Sequence, residues 1–182
     1  MTPPKKTPAP AEVARRRRMD LLTLRGYVSL TLRVALIAVA VWLIFSNVFL
    51  ITQCSDLGMF PSIEAGDLIL GYRLQKEYVK GDVVIYTVDG ARYLGRVVAR
   101  ETDVVVLDDG GNLVVNGTTQ GGEIMYPTYA KEGIHYPFTV QKGALFILGD
   151  YRTQTQDSRD FGAIPLSNIE GKVITIVRRR GL

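Results

Sequence analysis

Hydrophobic residues are arranged differently at the two ends of this chain. From Val34 to Ile51, eighteen residues pass without a charge. A helix of that length is about 27 Å long, close to the hydrocarbon thickness of a bilayer. Beyond this run, apolar residues come in short groups separated by Gly-Asp, Asp-Gly and Asn-Gly pairs. The pattern predicts one membrane-spanning helix followed by a mainly β domain.

Short apolar runs mark the predicted strands of that domain. Asp89-Gly90 separates two of them, and Asn116-Gly117 is the strongest hairpin signal in the chain. Residues 118–142 show little periodicity and are predicted to form a variable loop. The predicted strands are Leu68–Leu70, Val83–Val88, Tyr93–Val98, Asp103–Leu107, Leu113–Val115, Ala144–Leu148 and Lys172–Val177.

Positive charge is concentrated before the apolar run. Residues 1–51 hold eight Lys and Arg against two Asp and Glu, although the whole chain carries only +4. This asymmetry predicts a cytoplasmic N-terminus, with contacts to anionic membrane lipids. Because the basic excess belongs to this arm, the sequence does not favour nucleic-acid binding.

The chain is therefore predicted to have three parts. Residues 1–33 form a basic, disordered cytoplasmic arm, residues 34–51 a transmembrane signal anchor, and residues 52–182 an extracytoplasmic β-domain. A cleavable signal peptide is the rival interpretation. The apolar run is long for that role, lies far from the N-terminus and lacks a small-x-small cleavage site.

Metal and cofactor chemistry have little support in the sequence. Cys54 is the only cysteine, which excludes an internal disulfide framework and a multi-cysteine metal site. We interpret it as a small apolar residue beyond the membrane helix. The only histidine, His135, falls in the variable loop and is predicted to face solvent. We therefore predict neither a metal nor a cofactor.

Blocks of sequence, in order, resemble the type I signal peptidases. Gly58–Leu70 is similar to the pattern Ser-Met-x-Pro-Thr-Leu-x-x-Gly-Asp followed by aliphatic residues, and Gly149–Gly162 is similar to Gly-Asp-Asn-Arg-x-x-Ser-x-Asp-Ser-Arg-x-Phe-Gly. Between them lie three stretches that resemble further family blocks: Gly81–Val84, Tyr93–Val105 and Leu113–Gly117. The resemblance implies a signal-peptidase-like β-domain.

The same resemblance implies that this chain lacks the family's catalytic groups. The family uses a serine–lysine dyad, in which an unprotonated lysine takes the proton of the attacking serine. By position, the serine falls on Gly58 and the lysine on Gly95. Asp56 stands where some relatives place a hydroxyl that assists the oxyanion hole, and an ionised carboxylate there would repel an oxyanion. We therefore predict an inactive enzyme.

The remaining site predictions also follow from the resemblance. The expected peptide groove contains Asp56, Leu57, Met59, Phe60, Pro61 and Leu94, with Met59 and Phe60 at its rim. A charge-assisted hydrogen-bond network bracing the groove floor is expected from Asp150, Arg152, Asp157, Ser158 and Arg159.

Three functions remain open at this point. The first is a non-catalytic protein that binds extended peptide segments of exported or surface proteins. Signal-peptidase-like proteins without the dyad are associated with pili, which implies a pilus-assembly chaperone acting on pilins. The second is an active signal peptidase with relocated groups drawn from Cys54, Ser55, Ser62, His135 or a lysine. The third is a membrane tether with a vestigial groove.

Overall fold

The computed structural model describes residues 10–121 and 126–178 and divides into two compact units, Met1–Phe45 and Ser46–Leu182. The first unit contains most of helix α1, Pro10–Val48. Within it, Leu22–Val48 is long and apolar enough to cross a membrane.

The helix differs from the predicted boundaries at both ends. It begins at Pro10, so residues 10–33 are helical and not disordered, while residues 1–9 lie outside the described part. Leucine, alanine and arginine dominate residues 11–33 and favour helix, and proline suits a first helical position. The helix ends at Val48 because Phe49–Gln53 pairs as a strand.

The second unit is mainly β, as predicted. Eleven strands form within the described residues, and every pairing between them is antiparallel. They are β1 (Phe49–Gln53), β2 (Leu68–Tyr72), β3 (Val83–Val88), β4 (Ala91–Ala99), β5 (Val104–Leu107), β6 (Leu113–Val115), β7 (Thr118–Thr119), β8 (Phe138–Thr139), β9 (Ala144–Leu148), β10 (Ile164–Pro165) and β11 (Ile169–Val177). A short helix α2 (Ser158–Phe161) and a 3₁₀ turn (Leu166–Asn168) complete the unit.

The strands form two sheets. The larger has the order β1-β2-β11-β3-β4-β9-β10, and the smaller β7-β6-β5-β8. All seven predicted runs contain strands, and the hairpin turns are where the sequence predicts them. The predicted variable loop, residues 118–142, is wrong at its two ends, where β7 pairs with β6 and β8 pairs with β5. Asp89 and Gly90 adopt φ of 50° and 80°, and Asn116 and Gly117 adopt 52° and 77°. Two successive positive φ angles are the requirement of a type I′ hairpin turn.

Buried side chains of the second unit form three clusters that hold the site elements in place. One packs the turn after β1 onto the large sheet through Cys54, Met59, Ile63, Ile69 and Ile85. Another includes Tyr86 of β3 and Ile147 of β9. Cys54 is 2% exposed, its Sγ donates to the Asp56 carbonyl over 3.2 Å, and burial raises its pKa. The apolar interpretation of this cysteine agrees with its position.

Candidate functional site

The turn that follows β1 places Gly58 against the Gly149–Gly162 segment. The Gly58 carbonyl accepts a hydrogen bond from the Tyr151 N–H at 3.0 Å. Inside the turn, the Phe60 N–H donates to the Leu57 carbonyl and the Ile63 N–H to the Met59 carbonyl, each at 2.9 Å. The Phe60–Pro61 peptide bond is cis. Gly58 is therefore held by its backbone at the position of the family's nucleophile.

No free space is available for a side chain at Gly58. A Cβ there would lie 2.9 Å from Thr155 Oγ1 and 3.3 Å from Asp56 Oδ1. Contacts below 3.0 Å require a neighbour to move, although a hydroxyl at the end of a side chain can do so. Thr155 and Asp56 thus occupy the volume around the nucleophile position.

Gly95 is packed more tightly still. It lies in β4 opposite Val84 of β3, next to β9 in the sheet. A Cβ at this position would lie 2.5 Å from Ile147 Cγ2 and 3.3 Å from Tyr86 Cε1. Ile147 and Tyr86 are fully buried. A side chain at this position would therefore require Ile147 to shift.

Tyr86 also belongs to a group of aromatic rings. The Tyr86 ring lies 5.7 Å from that of Tyr93, and Tyr93 lies 5.1 Å from Phe161. The Tyr86 hydroxyl is buried without a hydrogen-bond partner among the described residues. Burial also raises its pKa, so the phenol stays neutral. The groups nearest to Gly95, the predicted lysine position, are therefore apolar or neutral.

The backbone donor at the nucleophile position is occupied as well. The Gly58 N–H donates to Asp56 Oδ1 at 2.9 Å. An oxyanion hole needs free donors directed at the developing negative charge. Here a carboxylate already accepts that N–H, and its charge would repel a second anion. The Asp56 side chain therefore disfavours an oxyanion in two ways. It occupies the Gly58 N–H donor, and, as the sequence predicts, its charge would repel an anion.

The candidate relocated groups are not assembled into a new dyad. The Ser62 hydroxyl donates to Asp150 Oδ2 at 2.6 Å, and His135 and Ser55 are exposed. Lys131 Nζ donates to the Thr155 carbonyl and to Asp160 Oδ2, each at 2.6 Å. In the part of the chain that the structure describes, no lysine amine or imidazole is hydrogen-bonded to the Cys54 thiol or to a hydroxyl of Ser55, Ser62 or Thr155.

The predicted groove residues differ in their exposure to solvent. Met59 is wholly buried in the cluster below the turn, so its predicted place at the groove rim is wrong. Its apolar side chain anchors the turn to the sheet. Phe60 is half-buried with its ring 5.9 Å from that of Tyr151, and Leu94 is half-buried. The exposed groove residues are Asp56, Leu57 and Pro61.

Asp157 and Arg159 form a fully buried ion pair at the centre of the Gly149–Gly162 segment. Arg159 Nε donates to Asp157 Oδ1 and Nη2 to Asp157 Oδ2, both at 2.9 Å. The Asp157 side chain also accepts from the Arg159 N–H and takes part in a capping box at the start of α2. Arg159 Nη2 further donates to the Arg152 carbonyl at 2.6 Å. The Ser158 hydroxyl accepts the Ile147 N–H at 2.9 Å, which joins α2 to β9.

Asp150 is held by an arginine that the sequence did not single out. Arg96 Nε and Nη2 donate to its two carboxylate oxygens at 2.9 and 2.6 Å. Arg152 instead donates to neutral oxygens, Nε to the Gly149 carbonyl at 2.7 Å and Nη1 to Thr128 Oγ1 at 2.6 Å. The contacts of Asp150 and Arg152 link the segment to β4 and to the loop before β8.

Sequence reasoning also missed that Tyr86 fills the space over Gly95. The β3–β4 hairpin contains a sequence signal for this contact. A two-residue Asp89-Gly90 turn fixes the register of β3 and β4, and it places Val84 opposite Gly95 and Tyr86 opposite Tyr93. A large side chain diagonal to a glycine reaches over it. The contact of Ile147 has no such local signal, because β9 is distant in the sequence.

Comparisons with known proteins agree on one family. The family model described as "Signal peptidase, peptidase S26" matches residues 24–178. The probable thylakoidal processing peptidase 2, chloroplastic, of Arabidopsis thaliana is 30% identical over 132 residues, covering 64% of this chain and 34% of that protein. The signal peptidase I of Aquifex aeolicus (strain VF5) is 44% identical over 48 residues, covering 26% of this chain and 19% of that protein.

A crystal structure of a signal peptidase I from Enterococcus faecalis V583 is similar at 24% sequence identity and a TM-score of 0.46. The matched region covers 55% of this chain and 98% of the Enterococcus chain. The chain spans about a third of the length of the Arabidopsis processing peptidase.

Proposed function

Since this chain belongs to the signal peptidase family, peptidase S26, we propose that it is a non-catalytic member that binds extended peptide segments of exported proteins. The observation that carries this proposal is the packing at Gly58 and Gly95. Thr155 Oγ1 lies 2.9 Å from where a Cβ would be at Gly58, and Ile147 Cγ2 lies 2.5 Å from where a Cβ would be at Gly95.

Loss of catalysis follows from the chemistry of these positions. A glycine provides neither a nucleophile nor a base, and Asp56 takes the Gly58 N–H that an oxyanion would need. Residues of a dyad act as a unit, so that removing either one costs most of the rate. Neighbouring side chains have filled the space, which supports a lasting change of role and not a single lost group.

Peptide binding does not need the missing groups. A segment that binds as an added strand gains affinity from main-chain hydrogen bonds and specificity from shallow side-chain pockets. Leu57 is 49% exposed, and Phe60 and Leu94 remain partly accessible around the Gly58 turn. These apolar groups suit small side chains such as alanine in a bound peptide.

We place the β-domain, residues 52–182, outside the cytoplasm, with the helix across the membrane and the basic arm inside. The supporting facts are an apolar helix at Leu22–Val48 and the basic excess that precedes residue 52. In this position the domain meets proteins as they leave the membrane. A role as a pilus-assembly chaperone, with pilins as partners, is the more specific form of the proposal.

The proposal is tested by measuring binding and cleavage in one sample. Full-length protein in detergent micelles is titrated with an amidated fluorescent preprotein peptide that contains Ala-x-Ala, and with a matched amidated Asn-x-Asn peptide. Anisotropy reports binding, and mass spectrometry reports whether the peptide stays intact. We expect saturable binding of the first peptide, weaker binding of the second, and no cleavage.

Two results would contradict the proposal. Equal or absent binding of the two peptides would remove the peptide-binding role and favour a membrane tether. Cleavage after the Ala-x-Ala sequence would remove the non-catalytic role and favour an active peptidase with relocated groups.

A further inference from the structure

A cavity of about 640 Å³ lies beside β4, and its lining includes Arg96 but not Gly95. Successive side chains of a strand point to opposite faces of a sheet, so Gly95 points away from this cavity toward Ile147. The cavity is thus separate from the positions of the family's dyad. Its wall combines residues of β4, the β5–β6 turn and β7 with the loop before β8.

The cations that line this cavity differ in how they are neutralised. Lys80 Nζ lies 3.2 Å from Asp103, and Arg96 lies 2.6 Å from Asp150. Arg152 is 4% exposed and donates only to the Gly149 carbonyl and the Thr128 hydroxyl. Among the described residues, no carboxylate forms an ion pair with Arg152. The nearby Asp157 is engaged by Arg159.

A buried guanidinium whose hydrogen bonds go to neutral oxygens is costly, because burial removes water, and Asp150 and Asp157 attract Arg152 while they are ion-paired with other arginines. Burial accordingly lowers the pKa of Arg152 to about 10. An anion in the cavity would supply the missing charge. Arginine also binds planar oxyanions through two parallel N–H donors, which makes it suited to a carboxylate.

We propose that this cavity binds the carboxylate of a peptide chain, with Arg152 as its counter-charge. Among the described residues that line the cavity, Arg152 is the one cation without an ion pair, and its charge matches that of a carboxylate. A phosphate group, with a charge near −2, would leave about one negative charge unmatched.

The size and walls of the cavity favour a peptide over a small organic anion. The volume of about 640 Å³ exceeds what one carboxylate group needs, and it falls within the range of about 300–1,000 Å³ typical of ligand sites. Apolar side chains of Pro61, Leu113 and Pro127 share the wall with the hydroxyls of Thr119 and Thr128. Such a wall suits the mixed polarity of a peptide.

Peptides that differ in one charge test the proposal. Full-length protein in detergent micelles is titrated by calorimetry with acetyl-Gly-Glu-Gly-amide, with acetyl-Gly-Gln-Gly-amide, and with acetyl-Gly-Gln-Gly that has a free C-terminal carboxylate. At least one carboxylate peptide should bind about tenfold more tightly than the neutral amide, since hydrogen bonds to charged groups are the stronger ones. Which of the two binds tighter identifies a side chain or a C-terminus as the source.

Paired substitutions in β7 locate the site. Thr119 and Thr118 are both exposed, but only Thr119 lines the cavity. Thr119→Glu places a competing carboxylate at the wall and should weaken carboxylate binding about tenfold, whereas Thr118→Glu should leave it unchanged. Arg152→Met should abolish the difference between the Glu and Gln peptides; its folding is checked by circular dichroism.

Specific results would overturn the proposal. One is equal binding, or no binding, of all three peptides. Another is tighter binding of inorganic phosphate than of either carboxylate peptide, which would assign the cavity to a phosphate group. A third is the same affinity in Thr119→Glu and Thr118→Glu. Because these peptides lack the Ala-x-Ala sequence, failure here is distinguishable from failure of the proposed function.

Discussion

The positions of the dyad and the Gly149–Gly162 segment lie side by side, yet they differ in what they contain. Around Gly58 and Gly95, neighbouring side chains leave little room for a side chain. In the Gly149–Gly162 segment, a buried ion pair and several hydrogen bonds hold charged residues that are costly to bury. The first region has no side chain at its two glycines, while the second carries interactions that fix the fold.

This difference distinguishes the structural role of the Gly149–Gly162 segment from the catalytic role that the family resemblance assigns to the positions of Gly58 and Gly95. The Asp157–Arg159 pair joins α2 to β9 and to the loop before β8, so that losing it disturbs the whole domain. Around the two glycines the neighbours are instead single side chains, Thr155 and Asp56 at Gly58, and Ile147 and Tyr86 at Gly95.

The largest effect is expected from the buried ion pair. Arg159→Met leaves the Asp157 carboxylate buried without its partner and should lower the free energy of unfolding by about 3–5 kcal/mol. The matched control is Arg92→Met, which breaks an exposed bidentate pair with Glu170 and should cost about 0–1 kcal/mol. Urea unfolding of the full chain in micelles, followed by near-ultraviolet circular dichroism, measures both. Similar losses in the two variants would mean that the segment does not brace the fold.

A smaller loss of folding free energy is expected when a side chain is added at Gly95. Gly95→Ala brings a Cβ to 2.5 Å from Ile147 Cγ2, and overpacking of a tight core costs about 1–3 kcal/mol. Gly58→Ala should cost less, because the Thr155 hydroxyl can turn away. Combining Gly95→Ala with Ile147→Ala should cost less than the sum of the two single changes. Strict additivity in this unfolding assay would show that the two positions do not compete for space.

The smallest effect is expected at the exposed ion pair between Arg92 and Glu170. Hydrogen bonds from Arg92, followed by that from Thr87, hold the pKa of Glu170 below its usual 4.5. A carboxyl group with a lowered folded-state pKa adds stability above its unfolded pKa and loses it as the pH falls through the folded value. The stability difference between the wild type and Glu170→Gln should therefore be present at pH 6 and shrink below about pH 4.5. A difference that grows on acidification would contradict this sign.

Much of the fold could be predicted because local signals set it. Asp89-Gly90 and Asn116-Gly117 adopt the positive φ angles of hairpin turns, and the strands around them follow from short apolar runs. The helix start at Pro10 escaped prediction, because a proline- and lysine-rich segment resembles a disordered one in composition. Strand β1 escaped as well, since its apolar residues continue the membrane run.

The position of the candidate site follows from the family resemblance and stays a prediction, whereas its packing could not be predicted from the sequence. The family blocks locate Gly58 and Gly95, yet they do not reveal that Ile147 and Tyr86 close the space above Gly95. They also left Met59 at the rim, although it is wholly buried. These contacts join β4 to β9 and the turn to the sheet, so they depend on tertiary packing and not on nearby sequence. The same reason hid the pairing of Arg96 with Asp150.

The most direct test of the central claim is a single-turnover cleavage assay with the wild-type protein in excess over an Ala-x-Ala preprotein peptide. A family member with an intact dyad serves as the positive control, and mass spectrometry follows the peptide for many hours. The account predicts that the bound peptide stays intact throughout, because Gly58 and Gly95 provide no nucleophile and no base. A product cut after Ala-x-Ala that is lost in Thr155→Val or Ser62→Ala would contradict it and identify a relocated nucleophile.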